Sequence, residues 1–213
     1  MRFILLFFLL YTSFGIGTAQ TRTFGAGLVG GLNAAQVQGD DQAGWHKLGI
    51  RAGVRGIIYL PYRDNMEWTI DILYSQRGSR TEIRRGSPSF PFTMVTDYIE
   101  VPVLFHVKDW YDERDDFYRA RAFGGLSFGR LFRASALDFE VLEEEVDNFN
   151  PFDLSLMLGV GYSTSKNFLL SASYGHSLNR LYNNRRFLNP SGLPRYAEPL
   201  RGKFLSFQGT YVF

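Results

Sequence analysis

The 213-residue chain contains no cysteine, and this absence excludes several classes of protein. Disulfide frameworks and thiol-based catalysis both require cysteine side chains. A lipoprotein anchor requires a cysteine at the mature N-terminus, so that form of membrane attachment is excluded as well. A chain without thiols that enters an oxidising compartment also avoids mispaired disulfides on the way.

The sequence has no excess of charge of either sign, because 23 lysines and arginines oppose 21 aspartates and glutamates. The formal net charge is only +2, and we therefore expect no nucleic-acid partner. A mean hydropathy of -0.13 excludes a polytopic helical membrane protein. The same value is compatible with a β-barrel, in which alternate residues of each strand are polar.

Catalytic signatures are also lacking. The chain has three histidines, and no serine and acid are spaced with them to form a relay. Phosphate loops, zinc spacings and dinucleotide fingerprints are absent from the sequence. We therefore expect no enzyme activity, no cofactor and no metal site.

A long apolar run is present at the N-terminus alone. Met1-Arg2 precedes the apolar run Phe3–Tyr11, and the small residues Gly17-Thr18-Ala19 follow. This layout predicts a secretory signal peptide over residues 1–19, cleaved before Gln20. The run is too short for a membrane anchor, which needs about 20 apolar residues. Residues 20–213 are then predicted to form one exported domain.

Within that domain, about eight segments alternate apolar and polar residues with a period of two. Each is long enough to cross a bilayer as a tilted strand. The predicted strands are Thr23–Ala34, His46–Ile58, Met66–Ser79, Thr93–Lys108, Phe117–Phe132, Phe152–Ser163, Phe168–Leu178 and Gly202–Phe213. They predict an all-β fold, an eight-stranded antiparallel transmembrane β-barrel that follows a cleaved signal peptide.

The connections between these segments alternate in length. Three are short, and the four longer ones are Ala35–Trp45, Arg80–Phe92, Arg133–Pro151 and Asn179–Arg201. Short periplasmic turns and longer outer loops are typical of barrels of the bacterial outer membrane. An even number of strands then leaves both termini on the periplasmic side. The alternative is a soluble lipocalin-like barrel in the periplasm, with its apolar faces turned inward.

The closing strand also resembles that of bacterial outer-membrane barrels. Its apolar parity includes Leu205, Phe207, Tyr211 and the terminal Phe213, while Ser206 has the opposite parity. In such barrels the terminal phenylalanine and the third-last aromatic form part of the assembly signal. The resemblance therefore implies that Tyr211 and Phe213 contribute to recognition by the barrel assembly machinery.

Two adjacent segments carry a more specific resemblance. Ile70–Gly78 ends in Leu-Tyr-Ser-Gln-Arg-Gly, and Tyr98–Leu104 reads Tyr-Ile-Glu-Val-Pro-Val-Leu. This pair resembles the signature of PorT-like outer-membrane barrels, within the small porin-family proteins with an outer membrane protein beta-barrel domain. Their strands read Leu-Tyr-Ser-Gln-Lys-Gly and Tyr-Leu-Glu-Ile-Pro-Leu-Leu, so Arg77 stands where lysine is usual. The resemblance implies an eight-stranded outer-membrane barrel and specifies no activity.

Charged residues in the middle of the strands fall mainly on the polar parity. A cation on the lipid face at the bilayer centre costs about 2–4 kcal/mol, so such charges are predicted to face the lumen. The predicted lumen charge network consists of Arg51, Arg55, Asp71, Glu100, Arg119 and Arg121. In a bore this narrow, the network is expected to close the lumen with salt bridges. The alternative is a selectivity lining for a narrow passive channel for ions or small solutes.

The predicted outer loops carry segregated charge and offer a candidate binding surface. The second loop is basic and carries Arg77, Arg80, Arg84 and Arg85, and Arg77 also has the polar parity of the predicted strand Met66–Ser79. The third is acidic and includes Glu143, Glu144 and Glu145, while the fourth is basic and includes Arg185 and Arg186. Candidate partners are outer-membrane lipid, lipopolysaccharide with its phosphates, and another envelope protein. The predicted role is therefore structural or interactive, at the bacterial outer membrane.

Overall fold

The computed structural model describes residues 23–38, 47–81, 92–137, 150–179 and 201–213. The predicted signal peptide, residues 1–19, lies outside the described residues. The described residues form eight β-strands: β1 Phe24–Gln38, β2 Lys47–Tyr59, β3 Met66–Thr81, β4 Phe92–Asp112, β5 Phe117–Leu137, β6 Phe152–Ser163, β7 Phe168–Ser177 and β8 Arg201–Val212. Among these residues, no helix has the length and apolar character needed to span a bilayer.

Every strand pairs antiparallel with its neighbour in sequence, and β8 pairs with β1 to close the barrel. At this seam Gly30 pairs with Gly209 and Leu32 pairs with Phe207. Closure leaves no strand edge along the paired wall, which is the condition for a sheet to reside in lipid. The predicted eight-stranded antiparallel barrel is confirmed.

The two central strands extend further than their sequence pattern predicted. Both β4 and β5 have 21 residues, and the predicted connection Asp109–Asp116 shrinks to a tight turn. Tyr111 pairs with Tyr118, and the Asp116 amide donates to the Asp112 carbonyl over 2.8 Å. The added residues Asp109–Asp112 place two aromatic side chains next to each other and so lack the period-two alternation that predicts a strand.

The barrel is inverted relative to a soluble protein, with its apolar side chains outside. Leu28, Ile72, Leu158 and Phe207 are all more than half exposed on the outer wall. The interior contains many buried polar and charged side chains, of which Glu100 is fully buried. The soluble lipocalin-like alternative, with its apolar faces inward, is therefore not the arrangement adopted. We call the end with residues 39–46, 82–91, 138–149 and 180–200 the loop end, and the opposite end the turn end.

An apolar layer crosses the middle of the lumen. Five buried residues from five strands form it: Ala35, Leu104, Phe123, Met157 and Phe204. Glycines on the neighbouring strands leave room for its two aromatic rings, because Gly175 pairs with Phe204 and Gly159 pairs with Phe123. A Cβ atom added at Gly175 would lie 2.1 Å from the Phe204 ring, and one at Gly159 would lie 2.4 Å from the Phe123 ring. Each ring thus fills the space that a glycine leaves on the neighbouring strand.

Candidate functional site in the barrel lumen

Arg77 is the centre of an ion-pair chain near the loop end of the lumen. Its guanidinium pairs with Glu100 of β4 and, over 2.7 Å, with Asp153 of β6. Arg51 of β2 donates to the second Glu100 oxygen over 2.8 Å. All four side chains are at most 7% exposed. Because β2 and β6 are opposite walls of an eight-stranded barrel, the chain spans the bore.

Aromatic rings and hydroxyls hold this chain in place. The Arg77 guanidinium carbon lies 3.6 Å from the centroid of the Phe204 ring and 5.1 Å from that of Tyr98. A cation that lies above the face of an aromatic ring is attracted to the ring electrons. At the far end, Ser155 donates its hydroxyl proton to Asp153 over 2.8 Å. The charges therefore have partners on several strands, as buried charges require.

A second cross-link joins the first and last strands to the third. The Asn33 amide nitrogen donates to Ser75 Oγ over 2.8 Å. Ser206 Oγ donates to Asn33 Oδ1 over 2.6 Å. All three side chains are fully buried. The side-chain amide of Asn33 therefore links β1, β3 and β8 beside the ion-pair chain.

Nearer the turn end, Arg55 and Asp71 form a bidentate pair between β2 and β3. Arg55 Nε donates to Asp71 Oδ1 over 2.8 Å, and Nη2 donates to Oδ2 over 2.7 Å. Two parallel charge-assisted hydrogen bonds fix the guanidinium in one plane. Both residues are buried, so the pair closes one side of the bore below the ion-pair chain.

Glu67 organises a third cluster at the turn end. It accepts from Arg121 over 2.7 Å and from Lys108 over 3.2 Å. Arg121 also donates to Ser163 Oγ over 3.1 Å, which reaches β6. Above this cluster, the His106 ring is stacked on Phe123 with 4.8 Å between ring centroids. Charged and aromatic groups therefore occupy the lumen at this level as well.

Five of the six sequence-predicted lumen charges lie inside the bore: Arg51, Arg55, Asp71, Glu100 and Arg121. Arg119 does not join them, so its predicted place in the network is wrong. It pairs with Asp112 and Asp115 beside the β4–β5 turn, and its side chain is 26% exposed. The reason is its position, since β5 begins at Phe117 and Arg119 is the third residue of the strand.

Arg77 is counted with the second outer loop although it also has the polar parity of the predicted strand Met66–Ser79, and the structure places it inside the barrel. β3 continues to Thr81, so Arg77 retains the lumen parity of Glu67 and Asp71. Asp153 and Lys108 were also missed as members of the network. The sequence does indicate a lumen position for Asp153, because this residue has the same polar parity as Ser155 near the start of β6.

The predicted assembly signal lies at the turn end, on the outer wall. Tyr211 and Phe213 pack edge to face with 5.8 Å between ring centroids. The Phe213 amide donates to the Ala26 carbonyl over 3.0 Å, which extends the seam beyond β8. The predicted outer-loop residues Arg84, Arg85, Glu143, Glu144, Glu145, Arg185 and Arg186 lie outside the described residues.

At the same end, the β4–β5 turn makes a contact with the turn between β6 and β7. Tyr111 Oη donates to Asp116 Oδ1 over 2.5 Å, and Lys166 Nζ lies 3.4 Å from Asp116 Oδ2. These two hydrogen bonds, together with the Lys166 charge, lower the pKa of the exposed Asp116 carboxyl. Asp116 therefore remains ionised and holds the two turns together.

Residues 18–183 match the family model described as outer membrane protein beta-barrel domain. The chain belongs to this family. Membership places the protein in the bacterial outer membrane, with the closed barrel as its membrane-spanning part. No curated protein matches the chain.

Several solved outer-membrane barrels are similar in structure to this family member. Ail, the attachment invasion locus protein of Yersinia pestis, is 14% identical with a TM-score of 0.44, over 89% of this chain and 98% of Ail. Neisserial surface protein A is 12% identical with a TM-score of 0.43, over 87% and 96%. OprG from Pseudomonas aeruginosa is 10% identical with a TM-score of 0.39, over 89% and 94%. At such values the likeness carries no argument about function.

Proposed function

We propose that the protein is a non-conducting outer-membrane barrel with a structural or interaction role, whose outer loops bind another envelope protein. In this proposal the chain is exported by its signal peptide and belongs to the PorT-like type. It is inserted by the barrel assembly machinery and performs no catalysis. The observation that carries the proposal is the ion-pair chain from Arg51 through Glu100 and Arg77 to Asp153.

Two barriers in series support a closed lumen. The ion-pair chain crosses from β2 to β6, and each charge in it has an opposite charge in contact. The apolar layer around Phe123 and Phe204 lies next to this chain and offers no polar groups to a passing ion. A barrel of eight strands has an interior just wide enough for side chains to fill. With the lumen occupied, the loops are the surface left for a function.

One observation favours the alternative of a narrow passive channel. Small polar side chains line the wall formed by β7 and β8, including Ser171, Ser173, Gln208 and Thr210. Within the described part of the chain, Ser171 Oγ, Gln208 Oε1 and Thr210 Oγ1 have no hydrogen-bond partner. Buried polar atoms of this kind usually contact water, and a water path along this wall would conduct.

Conductance in planar bilayers distinguishes the two functions. We expect the purified mature barrel to pass no steady current, because ion pairs and apolar side chains occupy the bore. The variant Arg77→Ser/Phe204→Ala removes side-chain atoms from both the ion-pair chain and the apolar layer. It is expected to show discrete channel openings in the current record. Lys166→Gln, in an exposed turn, serves as the control that leaves the record unchanged. A steady wild-type current that falls in Glu100→Gln would establish the channel instead.

The loop surface is tested by co-purification under mild detergent extraction. We expect a stoichiometric envelope protein to accompany the barrel, and to be lost when Glu143, Glu144 and Glu145 are replaced by glutamine. The matched control is Arg185→Gln/Arg186→Gln, which neutralises the basic loop and leaves the acidic one intact. Recovery of the barrel alone, from wild type and both variants, would contradict the interaction role.

A further inference from the structure

Two cationic side chains and a histidine depart from the rule that polar and charged side chains face the lumen. Arg130 of β5, His176 of β7 and Lys203 of β8 share the parity of the outer, apolar wall. Each lies in the loop-end part of its strand. Arg130 is exposed, while His176 and Lys203 are half-buried against the wall. We call these three residues the cationic wall.

The register places the cationic wall on one continuous face. Lys203 is the direct partner of His176 in the β7–β8 ladder. Arg130 pairs with Phe152 at the start of β6, which lies between β5 and β7. Neighbouring strands are about 4.8 Å apart, so β5 to β8 spans about 15 Å across the strands. Along the strands, Arg130 is level with Phe152, whereas His176 and Lys203 are level with Leu156, which lies about 13 Å further along β6. Arg130 and Lys203 are therefore about 20 Å apart along the sheet, and the long side chains can extend towards each other.

No acid on the protein pairs with these charges in the part of the chain that the structure describes. The direct cross-strand neighbours of Arg130 are Ile99 and Phe152. Those of Lys203 are His176 and Gln36. Arg133 is excluded from the cationic wall because its neighbour in register is Asp97. A charge on this face is tolerated near the membrane interface, where an anion from the membrane can pair with it.

Apolar and aromatic side chains surround the cationic wall on the same face. Phe152, Phe128 and Phe207 are each more than half exposed there. Aromatic rings favour the boundary between acyl chains and headgroups. A ligand on this face would therefore place acyl chains along the rings and its anionic groups beside the cations.

We propose that the cationic wall binds the phosphates of lipopolysaccharide in the outer leaflet. Lipopolysaccharide is a glycolipid that carries several phosphates on one sugar headgroup, which suits cations at two separate positions on the outer wall. Arg130 supplies a bidentate donor for one phosphate, and Lys203 supplies a point charge for another. The site uses the barrel wall rather than the loops. It therefore does not depend on the proposed loop partner or on the closure of the lumen.

The test is a binding titration with the mature barrel in detergent micelles and purified lipopolysaccharide as the probe. Replacing Arg130 and Lys203 by serine is expected to weaken binding about tenfold for each cation removed. The matched control, Arg114→Ser/Lys166→Ser, removes two exposed cations at the turn end and is expected to leave the affinity unchanged. Dephosphorylated lipopolysaccharide should bind wild type as weakly as the intact lipid binds the double variant.

Two results would overturn the proposal. One is unchanged lipopolysaccharide affinity in Arg130→Ser/Lys203→Ser, with native heat-modifiable gel mobility showing that the variant is folded. The other is wild-type binding of phosphatidylglycerol as tight as that of lipopolysaccharide, which would indicate a general anion surface. If the serine variant does not fold, Arg130→Gln/Lys203→Gln provides the decision. It removes both charges but keeps long polar side chains, and unchanged lipopolysaccharide affinity in that variant would overturn the proposal.

Discussion

Replacing Arg77 by methionine is expected to lower the free energy of unfolding by about 3–5 kcal/mol. The substitution preserves much of the side-chain volume but removes a cation that contacts both Glu100 and Asp153. Glu100 retains Arg51, whereas Asp153 loses its only charged partner in the described part of the chain. A buried, unpaired carboxylate is the cause of the expected loss. The measurement is denaturant unfolding of the barrel reconstituted in lipid vesicles, followed by heat-modifiable gel mobility.

A double variant separates the charge effect from the loss of packing. Arg77→Met/Asp153→Asn removes one charge of each sign and leaves Arg51 paired with Glu100. We expect it to regain at least half of the stability lost in Arg77→Met, because replacing a buried pair is much less harmful than breaking it. Arg63→Met, in the exposed β2–β3 turn, is the control for general effects of losing an arginine. A double variant no more stable than Arg77→Met would show that the ion pairs are not what holds this layer.

Replacing Phe204 by alanine is expected to cost about 3–5 kcal/mol of stability. The ring is buried in the lumen, where it packs against Arg77 and fills the space above Gly175. Its removal leaves a cavity in the bore that the barrel cannot collapse to fill. Unfolding in vesicles measures the loss. The same assay in the Phe204→Ala background should show that Gly175→Ala, harmful in the wild type, is tolerated there.

Phe207 provides the matched control for that prediction, because it lies on the same strand and faces the other way. It is 57% exposed on the outer wall. Truncating it to alanine is expected to cost much less, since acyl chains of the bilayer replace the lost contacts. If Phe207→Ala were the more harmful of the two substitutions, the packed core would lie outside the lumen, and the barrel as described here would be inverted.

Period-two alternation was sufficient to predict the strands and their faces. Arg51 and Arg55 were assigned to the lumen because their parity opposes that of Ile50 and Val54, and both are buried there. This inference succeeds because a lipid-facing charge is costly near the bilayer midplane, where the central parts of the strands lie. This assignment of charges to the lumen does not require their ion-pair partners to be known, so it can be made from a single sequence.

The ion-pair partners could not be predicted from the same pattern. Arg77 and Asp153 are 76 residues apart, and their contact depends on how far each strand is staggered around the barrel. The parity of a residue predicts whether its side chain points into the lumen. It does not predict the height of that side chain along the barrel axis. Arg119 shows the same limit. Its parity is that of the lumen, as predicted, but its height along the barrel places it beside the β4–β5 turn. In β3 and β4, the alternation of apolar and polar residues stops before the strand itself ends.

The hydrogen bond from Ser206 to Asn33 joins residues 173 positions apart. Arg77 of β3 likewise reaches its contact with Phe204 only when the last strand is present. Contacts of such sequence separation form slowly, because the entropy of closing a long loop must be overcome before they stabilise anything. The interior therefore cannot be completed strand by strand during synthesis. Insertion and packing of the lumen are expected to occur as one late, cooperative event, with β8 as the final component.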